Sequence, residues 1–136
     1  MNVVRQHELL STADPAGSFA EHLRRSDAFP LKAESLGILQ LNITRKCNLS
    51  CRHCHVEAGP GQSLDMSDAV LDKCIELASL PAIHTLDITG GAPELHPRFT
   101  ELIEGLHALG KRLLVRSNLV ILLKPPFDVL PEFYAS

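Results

Sequence analysis

Two short stretches alternate between apolar and polar residues, the pattern of strands with two different faces, and a third short stretch is apolar throughout. They cover residues 38–43, 84–89 and 113–115. In the second stretch the apolar residues Leu86 and Ile88 fall on one face. The pattern therefore predicts three β-strands, each covered by apolar packing on one side.

Two longer segments between these strands carry apolar residues at helical spacing. One begins near residue 66, with Ser63 or Asp65 as the predicted N-cap. The other follows Pro97 and is predicted to end at Gly110, since proline suits a first turn and glycine a C-terminal cap. The apolar positions of the first helix are Met66, Val70, Leu71, Cys74, Ile75, Leu77 and Ala78. Those of the second helix are Phe99, Leu102, Ile103, Leu106 and Leu109.

The order of these elements predicts an α/β fold. Alternating strands and helices form parallel sheets in which the helices are right-handed crossovers. Residues 36–136 are predicted to be an incomplete barrel containing its first three strands. A further helix is predicted to open at Leu130 and Pro131, close to the last residue, Ser136. We therefore expect the sequence to be cut short relative to a whole barrel.

Residues 1–35 are predicted to be an N-terminal helical extension. Phe19, His22 and Leu23 lie at helical spacing, Ser18 is a candidate N-cap and Pro30 ends the pattern. No functional role is predicted for this segment.

Composition and charge exclude several classes of partner. The 136 residues include 13 basic and 16 acidic side chains, for a net charge of −3, and 45% are hydrophobic. This balance offers no basic surface for nucleic acid or for an acidic membrane. No apolar run is long enough for a membrane span, and the N-terminus lacks the layout of a signal peptide. A cytoplasmic location is expected, because the crowded cysteines would remain reduced there.

Three of the four cysteines lie in one loop after the first strand. Cys47, Cys51 and Cys54 are close enough in sequence to converge on one metal centre, and thiolates bind iron and zinc tightly. Three thiolates would leave one iron of a [4Fe–4S] cluster open to a small molecule. A structural zinc site with His53 or His55 as fourth ligand is the alternative. Cys74 lies on a helical apolar stripe and is predicted to be a small core residue rather than a ligand.

The pattern Cys-x3-Cys-x2-Cys after a first strand resembles the signature of the radical S-adenosylmethionine (SAM) enzymes. The resemblance implies the N-terminal part of a partial (β/α)6 barrel. It also implies that Cys47, Cys51 and Cys54 hold a [4Fe–4S] cluster whose fourth iron is chelated by SAM. Reductive cleavage of SAM would then give methionine and a 5′-deoxyadenosyl radical. The residue before the last cysteine, His53, would contact the adenine.

Two further stretches resemble SAM-binding segments of that family. Gly90-Gly91-Ala92-Pro93 follows the second strand, and its main-chain carbonyls would bind the ammonium group of SAM. Asn118, after the third strand, would reach the ribose. An ordinary turn is the alternative interpretation of each. The family's usual Gly-Gly-Glu-Pro is replaced here, so the role of Glu94 is left open.

A narrower resemblance extends from residue 39 to the end of the chain. Leu-Gln-Leu-Asn-Ile-Thr, Cys-His-Val-Glu-Ala-Gly-Pro and Asp-Ile-Thr-Gly-Gly-Ala-Pro-Glu-Leu are similar to segments of the arsenosugar-biosynthesis (ArsS-type) radical SAM proteins. That family implies adenosylation of a dimethylated trivalent arsenic compound, with flavodoxin or ferredoxin as reductant. No catalytic residue is identified by the pattern. The alternative is an inactive fragment that only binds the cluster.

Overall fold

The computed structural model describes residues 17–135, together with Arg5, Glu8 and Leu9. The chain divides into two compact units, Met1–Glu34 and Ser35–Ser136. The predicted extension, residues 1–35, therefore lies partly outside the described residues, as does its His7.

In the N-terminal unit, helix α1 spans Phe19–Arg25. Its N-cap is Ser18, as predicted, and the Ser18 backbone N–H donates to a Glu21 carboxylate oxygen at 2.5 Å. Hydrogen bonding from Ser18 lowers the pKa of that exposed carboxyl. The Arg24 guanidinium, in the last turn of the helix, lies 4.3 Å from the centre of the Phe29 ring beyond its end. Aromatic packing and a cap thus stabilise a helix too short to form alone.

The second unit is built on a three-stranded parallel sheet in the order β1-β2-β3. The strands are β1 at Ile38–Asn42, β2 at Thr85–Thr89 and β3 at Arg112–Val115. Each begins or ends within one residue of its predicted limit. The predicted α/β fold with parallel strands is confirmed, and it is consistent with part of a (β/α) barrel.

Helix α2 spans Asp68–Ala78 and connects β1 with β2. The predicted N-cap, Ser63 or Asp65, is wrong, because Ser67 occupies that position. Asp65 instead forms a β-bridge with Thr44, so its backbone is extended and the helix begins only beyond it.

The packing of α2 follows part of its predicted apolar stripe. Leu71 and Ala78 are buried, and Cys74 packs against the core as predicted. Val70 and Leu77 are exposed, because the predicted apolar stripe was wider than the helix face that packs against the sheet. Burial raises the pKa of the Cys74 thiol, which favours the uncharged form of a core side chain.

Helix α3 spans Phe99–Ala108 and connects β2 with β3. Gly110 follows it with a φ of 68°, a left-handed conformation that suits glycine at a helix C-terminus. The prediction that Leu109 faces the core is wrong, because Leu109 is the C-cap and is 41% exposed. Pro97 precedes the helix rather than starting it.

The last helix, α4, spans Leu130–Ala135 and begins near the predicted residue. Short 3-10 turns occupy Pro93–Leu95, Val120–Leu123 and Phe127–Val129. None of the helices in the described part of the chain is long and apolar enough to cross a membrane.

One face of the sheet is apolar, and the other carries both polar and apolar side chains. The apolar face packs under the helices and forms the core, which includes Leu41, Leu86, Ile88, Leu102 and Leu106. On the opposite face, Asp87 is buried by its partners: Arg116 donates to both carboxylate oxygens at 2.7 and 2.6 Å, and Gln40 donates at 2.9 Å. Hydrogen bonds from Arg116 are the main reason that the pKa of Asp87 is lowered. Side-chain hydrogen bonds on this face therefore connect β1 and β2 with the residue that follows β3.

Candidate functional site

The loops after β1, β2 and β3 are joined by hydrogen bonds at the carboxyl ends of the strands. The Gly91 N–H donates to the Thr44 carbonyl at 2.7 Å, and the Ala92 N–H donates to the Lys46 carbonyl at 2.8 Å. Asn118 reaches the loop after β1 from the loop after β3. Parallel strands place such loops at one edge, where α/β proteins commonly form binding sites.

The cysteine loop is closed at its base by main-chain pairing. The Cys47 N–H donates to the Gly59 carbonyl at 3.3 Å, and the Gly59 N–H donates to the Arg45 carbonyl at 3.2 Å. A turn starts at Gly59, since the Gln62 N–H donates back to its carbonyl at 3.1 Å. The loop between these residues is therefore a closed unit on the end of β1.

Side-chain contacts also hold the base of the cysteine loop. Thr44 donates to Asp65 at 2.6 Å, and the Lys46 ammonium lies 2.5 Å from the other carboxylate oxygen. Burial alone would raise the pKa of Asp65, but the hydrogen bonds from Lys46 and Thr44 hold it below its usual value. Sequence analysis assigned none of these three residues to the site. Their spacing carries no motif, because the contact depends on how the chain returns from residue 46 to residue 65.

The three thiols of the loop differ in exposure. Cys47 and Cys54 are partly buried and Cys51 is exposed, and none forms a disulfide. Backbone N–H groups lie near two of the sulfurs: that of Leu49 is 3.4 Å from Cys47 Sγ and that of Ala58 is 3.3 Å from Cys54 Sγ. Such donors disperse negative charge on a ligating sulfur. The donor set and its hydrogen bonds therefore fit an iron–sulfur cluster.

The two imidazoles proposed for a zinc site, His53 and His55, are both exposed. Within residues 17–135, no group of three or more His, Cys, Asp or Glu side chains is arranged to hold a single metal ion. The exposed position of His53 leaves its ring accessible to a ligand above the loop.

Gly90 and Gly91 are required by the chain's own backbone. A Cβ atom at Gly91 would overlap the Lys46 carbonyl, and one at Gly90 would lie 2.5 Å from the Thr44 carbonyl oxygen. Gly90 also has a φ of 149°, which L side chains rarely adopt. The small size of these glycines therefore allows the loop after β1 to pack against the loop after β2.

The residues after these glycines are buried. Ala92 and Pro93 are almost completely covered, so any contact that they make with a cofactor would use main-chain atoms. Glu94 is 4% exposed and accepts a hydrogen bond from the Tyr134 hydroxyl at 3.4 Å. Burial, together with that carboxylate, raises the pKa of Tyr134. The partner of Glu94 therefore belongs to α4 rather than to the cysteine loop.

Asn118 is partly buried and contacts the cysteine loop directly. Its amide nitrogen donates to Asn48 Oδ1 at 2.8 Å and lies 3.6 Å from Cys47 Sγ. Asn118 is therefore not exposed, although its Oδ1 accepts the Ile121 N–H in a turn contact. Sequence analysis missed Asn48, whose one available signal was its place beside a cysteine.

A cavity of about 560 Å³ lies beside the cysteine loop. Arg45, His55 and Glu57 contribute polar atoms to its wall, and Met66 and Val70 contribute apolar ones. Glu57 has a φ of 51°, an uncommon conformation for a residue other than glycine. The cysteine loop therefore forms part of the wall of this cavity.

Residues 41–132 match the radical SAM superfamily. The match covers more than half of the chain, and the chain belongs to that superfamily. Its members use a [4Fe–4S] cluster and SAM. The matched segment includes all three loops described above.

Individual relatives agree with this assignment. The chain is 22% identical over 133 residues to the antilisterial bacteriocin subtilosin biosynthesis protein AlbA of Bacillus subtilis, covering 98% of this chain and 29% of that protein. It is 35% identical over 72 residues to GTP 3′,8-cyclase of Synechococcus sp., covering 52% and 20%. A probable GTP 3′,8-cyclase of Saccharolobus islandicus is 31% identical over 74 residues, covering 54% and 24%. The chain thus spans less than a third of the length of each of these relatives.

Proposed function

We propose that Cys47, Cys51 and Cys54 hold a [4Fe–4S] cluster and that the chain serves the reductive cleavage of SAM. The observation that carries this proposal is the closed three-cysteine loop on β1, hydrogen-bonded to the loops after β2 and β3. When bound, the cluster and SAM would supply an electron and a 5′-deoxyadenosyl radical. Small-molecule substrates and a protein reductant, such as flavodoxin or ferredoxin, are the partners that this chemistry requires.

The chain's own residues would bind and orient these groups. The N–H groups of Leu49 and Ala58 stabilise charge on two of the three sulfurs. The main-chain carbonyls of Gly90 and Gly91 are proposed to bind the ammonium group of SAM, and the exposed ring of His53 its adenine. Asn118 is proposed to reach the ribose from β3, beside the cysteine that its amide already contacts.

The cluster is tested by anaerobic reconstitution followed by iron and sulfide analysis. We expect about four irons and four sulfides per chain. Replacement of Cys47, Cys51 or Cys54 by alanine should abolish cluster formation, because each removes one of three ligands. Cys74→Ala is the matched control and should load fully, since Cys74 packs against the core. Full loading of Cys51→Ala, or zinc in place of iron in the purified protein, would contradict the proposal.

The substrate proposed for this chemistry is a dimethylated trivalent arsenic compound, which would be adenosylated. It is supported by the sequence segments that resemble arsenosugar-biosynthesis proteins. The relatives named above are described by other products, and no residue of this chain has been identified that would position arsenic. The substrate therefore rests on the resemblance alone.

Mass spectrometry after incubation with SAM, a reductant and dimethylarsenite tests the substrate. An adenosylated arsenic product would support the proposal. Formation of 5′-deoxyadenosine without that product would contradict the arsenic substrate while leaving SAM cleavage intact. A loaded cluster without any SAM cleavage would favour the alternative that this chain only binds the cluster.

A further inference from the structure

Two asparagine side chains connect the loop after β3 with the cysteine loop. Asn118 Oδ1 accepts the backbone N–H of Ile121 at 3.1 Å. Because a backbone nitrogen can only donate, this bond fixes the orientation of the Asn118 amide. Its Nδ2 must then be the group that faces Asn48 Oδ1 at 2.8 Å and Cys47 Sγ at 3.6 Å. The amide of Asn118 is therefore a donor directed at a proposed ligand sulfur.

The same logic fixes the orientation of Asn48. Its Oδ1 accepts from Asn118, so its Nδ2 is the remaining donor. That nitrogen is buried and has no hydrogen-bond partner within the part of the chain that the structure describes. Leaving a buried donor without a partner is unfavourable, because its lost hydration is not replaced. Asn48, the residue after Cys47 in the sequence, thus keeps a buried amide N–H without a partner among the described residues.

The turn that carries Asn118 is held rigidly. The Arg116 N–H donates to the Ile88 carbonyl at 2.9 Å, and the Leu119 N–H donates to Ser117 Oγ at 3.1 Å. Leu119 adopts a φ of 61°, a left-handed conformation that is costly for leucine. Strain of this kind persists where the surroundings determine the conformation, and it is concentrated at functional sites. These contacts hold the backbone of the loop from which the Asn118 amide extends.

We propose that Asn48 and Asn118 are positioning residues that raise the reduction potential of the cluster held by Cys47. This inference rests on the proposed function, since it requires a cluster on that cysteine. Hydrogen bonds to cluster sulfurs stabilise the more negative reduced state and are one of the ways in which proteins set its potential. Asn118 donates to the sulfur directly. Asn48 accepts a hydrogen bond from the Asn118 amide and so holds that donor beside the sulfur.

The test is a redox titration of the cluster in the full chain, followed by electron paramagnetic resonance in the absence of SAM. Leaving out SAM separates this role from any contact of Asn118 with the ribose. Asn118→Ala and Asn48→Ala should each shift the midpoint potential to more negative values. Asn118→Asp should shift it further, because a negative carboxylate replaces the donor. Because the two residues act together, the double alanine variant should shift less than the sum of the single shifts.

Gln62→Ala is the matched control, since it removes an exposed amide from the same loop region. Its potential should equal that of the unmodified chain. Potentials of the loaded Asn48 and Asn118 variants that equal the control would overturn the inference while leaving the cluster assignment intact. An unmodified chain that takes up no iron would instead contradict the proposed function. Should Asn118→Ala not load, the potentials of Asn48→Ala and Asn118→Asp decide the question.

Discussion

Gly91→Ala should destabilise the fold through a steric conflict at the base of the cysteine loop. The added Cβ would overlap the carbonyl group of Lys46 and come within 3.0 Å of the Ala58 Cβ. The Lys46 carbonyl is main chain, so it cannot rotate away as a flexible side chain would. The substitution would also strain the bonds that Gly91 and Ala92 donate to the Thr44 and Lys46 carbonyls at 2.7 and 2.8 Å.

The expected cost follows from these two effects. Overpacking costs about 1–3 kcal/mol, and each weakened backbone hydrogen bond costs up to about 1 kcal/mol. We therefore expect Gly91→Ala to lower the free energy of unfolding by about 3 kcal/mol, measured by urea denaturation. The variant should also load little cluster, because the Lys46 backbone leads directly into Cys47.

Gly105→Ala is the matched control. Gly105 lies within α3, and a Cβ there would meet nothing within 4 Å. Alanine should raise the free energy of unfolding by about 0.5–1 kcal/mol at a helix interior position. A Gly91→Ala variant as stable as the unmodified chain would refute the proposed packing of the glycine loop on the cysteine loop.

Two carboxylates give further predictions. Asp65→Asn should cost about 1–2 kcal/mol at neutral pH, because it removes charge-assisted bonds with Lys46 and Thr44. The pKa of Asp65 is lowered in the folded state, so this stabilisation is present above the ordinary pKa and is lost as the pH falls through the folded-state pKa. The difference in urea midpoint between Asp65→Asn and the unmodified chain should therefore vanish in acid. Asp87→Asn should lower the free energy of unfolding by only about 1 kcal/mol, because its partner Arg116 is largely exposed. Equal urea midpoints for the variant and the unmodified chain would contradict this.

The fold followed from the sequence where periodicity determined it. Strands and helices alternate as the apolar pattern predicted, and Cys74 packs against the core. Errors occurred where a local signal competed with a long-range contact. Asp65 resembles a helix cap in sequence, yet its bridge to Thr44 keeps it outside α2. Leu109 continues the apolar pattern of α3, but the helix ends before it.

The candidate site was predictable to a similar extent. The cysteine spacing and the order of loops indicated which segments meet, because parallel strands bring their carboxyl ends to one edge. The sequence did not reveal the contact between Asn48 and Asn118, which are separated by 70 residues. From the sequence, Gly91 was expected to contact SAM, whereas in the structure a side chain at this position would meet the Lys46 carbonyl. Both contacts depend on the relative position of two loops, which no local pattern encodes.

The three-cysteine loop is proposed to hold a cluster with an iron available to SAM. The most direct measurement is the electron paramagnetic resonance spectrum of the reduced, reconstituted chain before and after addition of SAM. We expect a cluster signal that changes when SAM binds, and no such signal in Cys51→Ala. A reduced cluster whose spectrum stays the same at saturating SAM would show that none of its irons is available to SAM.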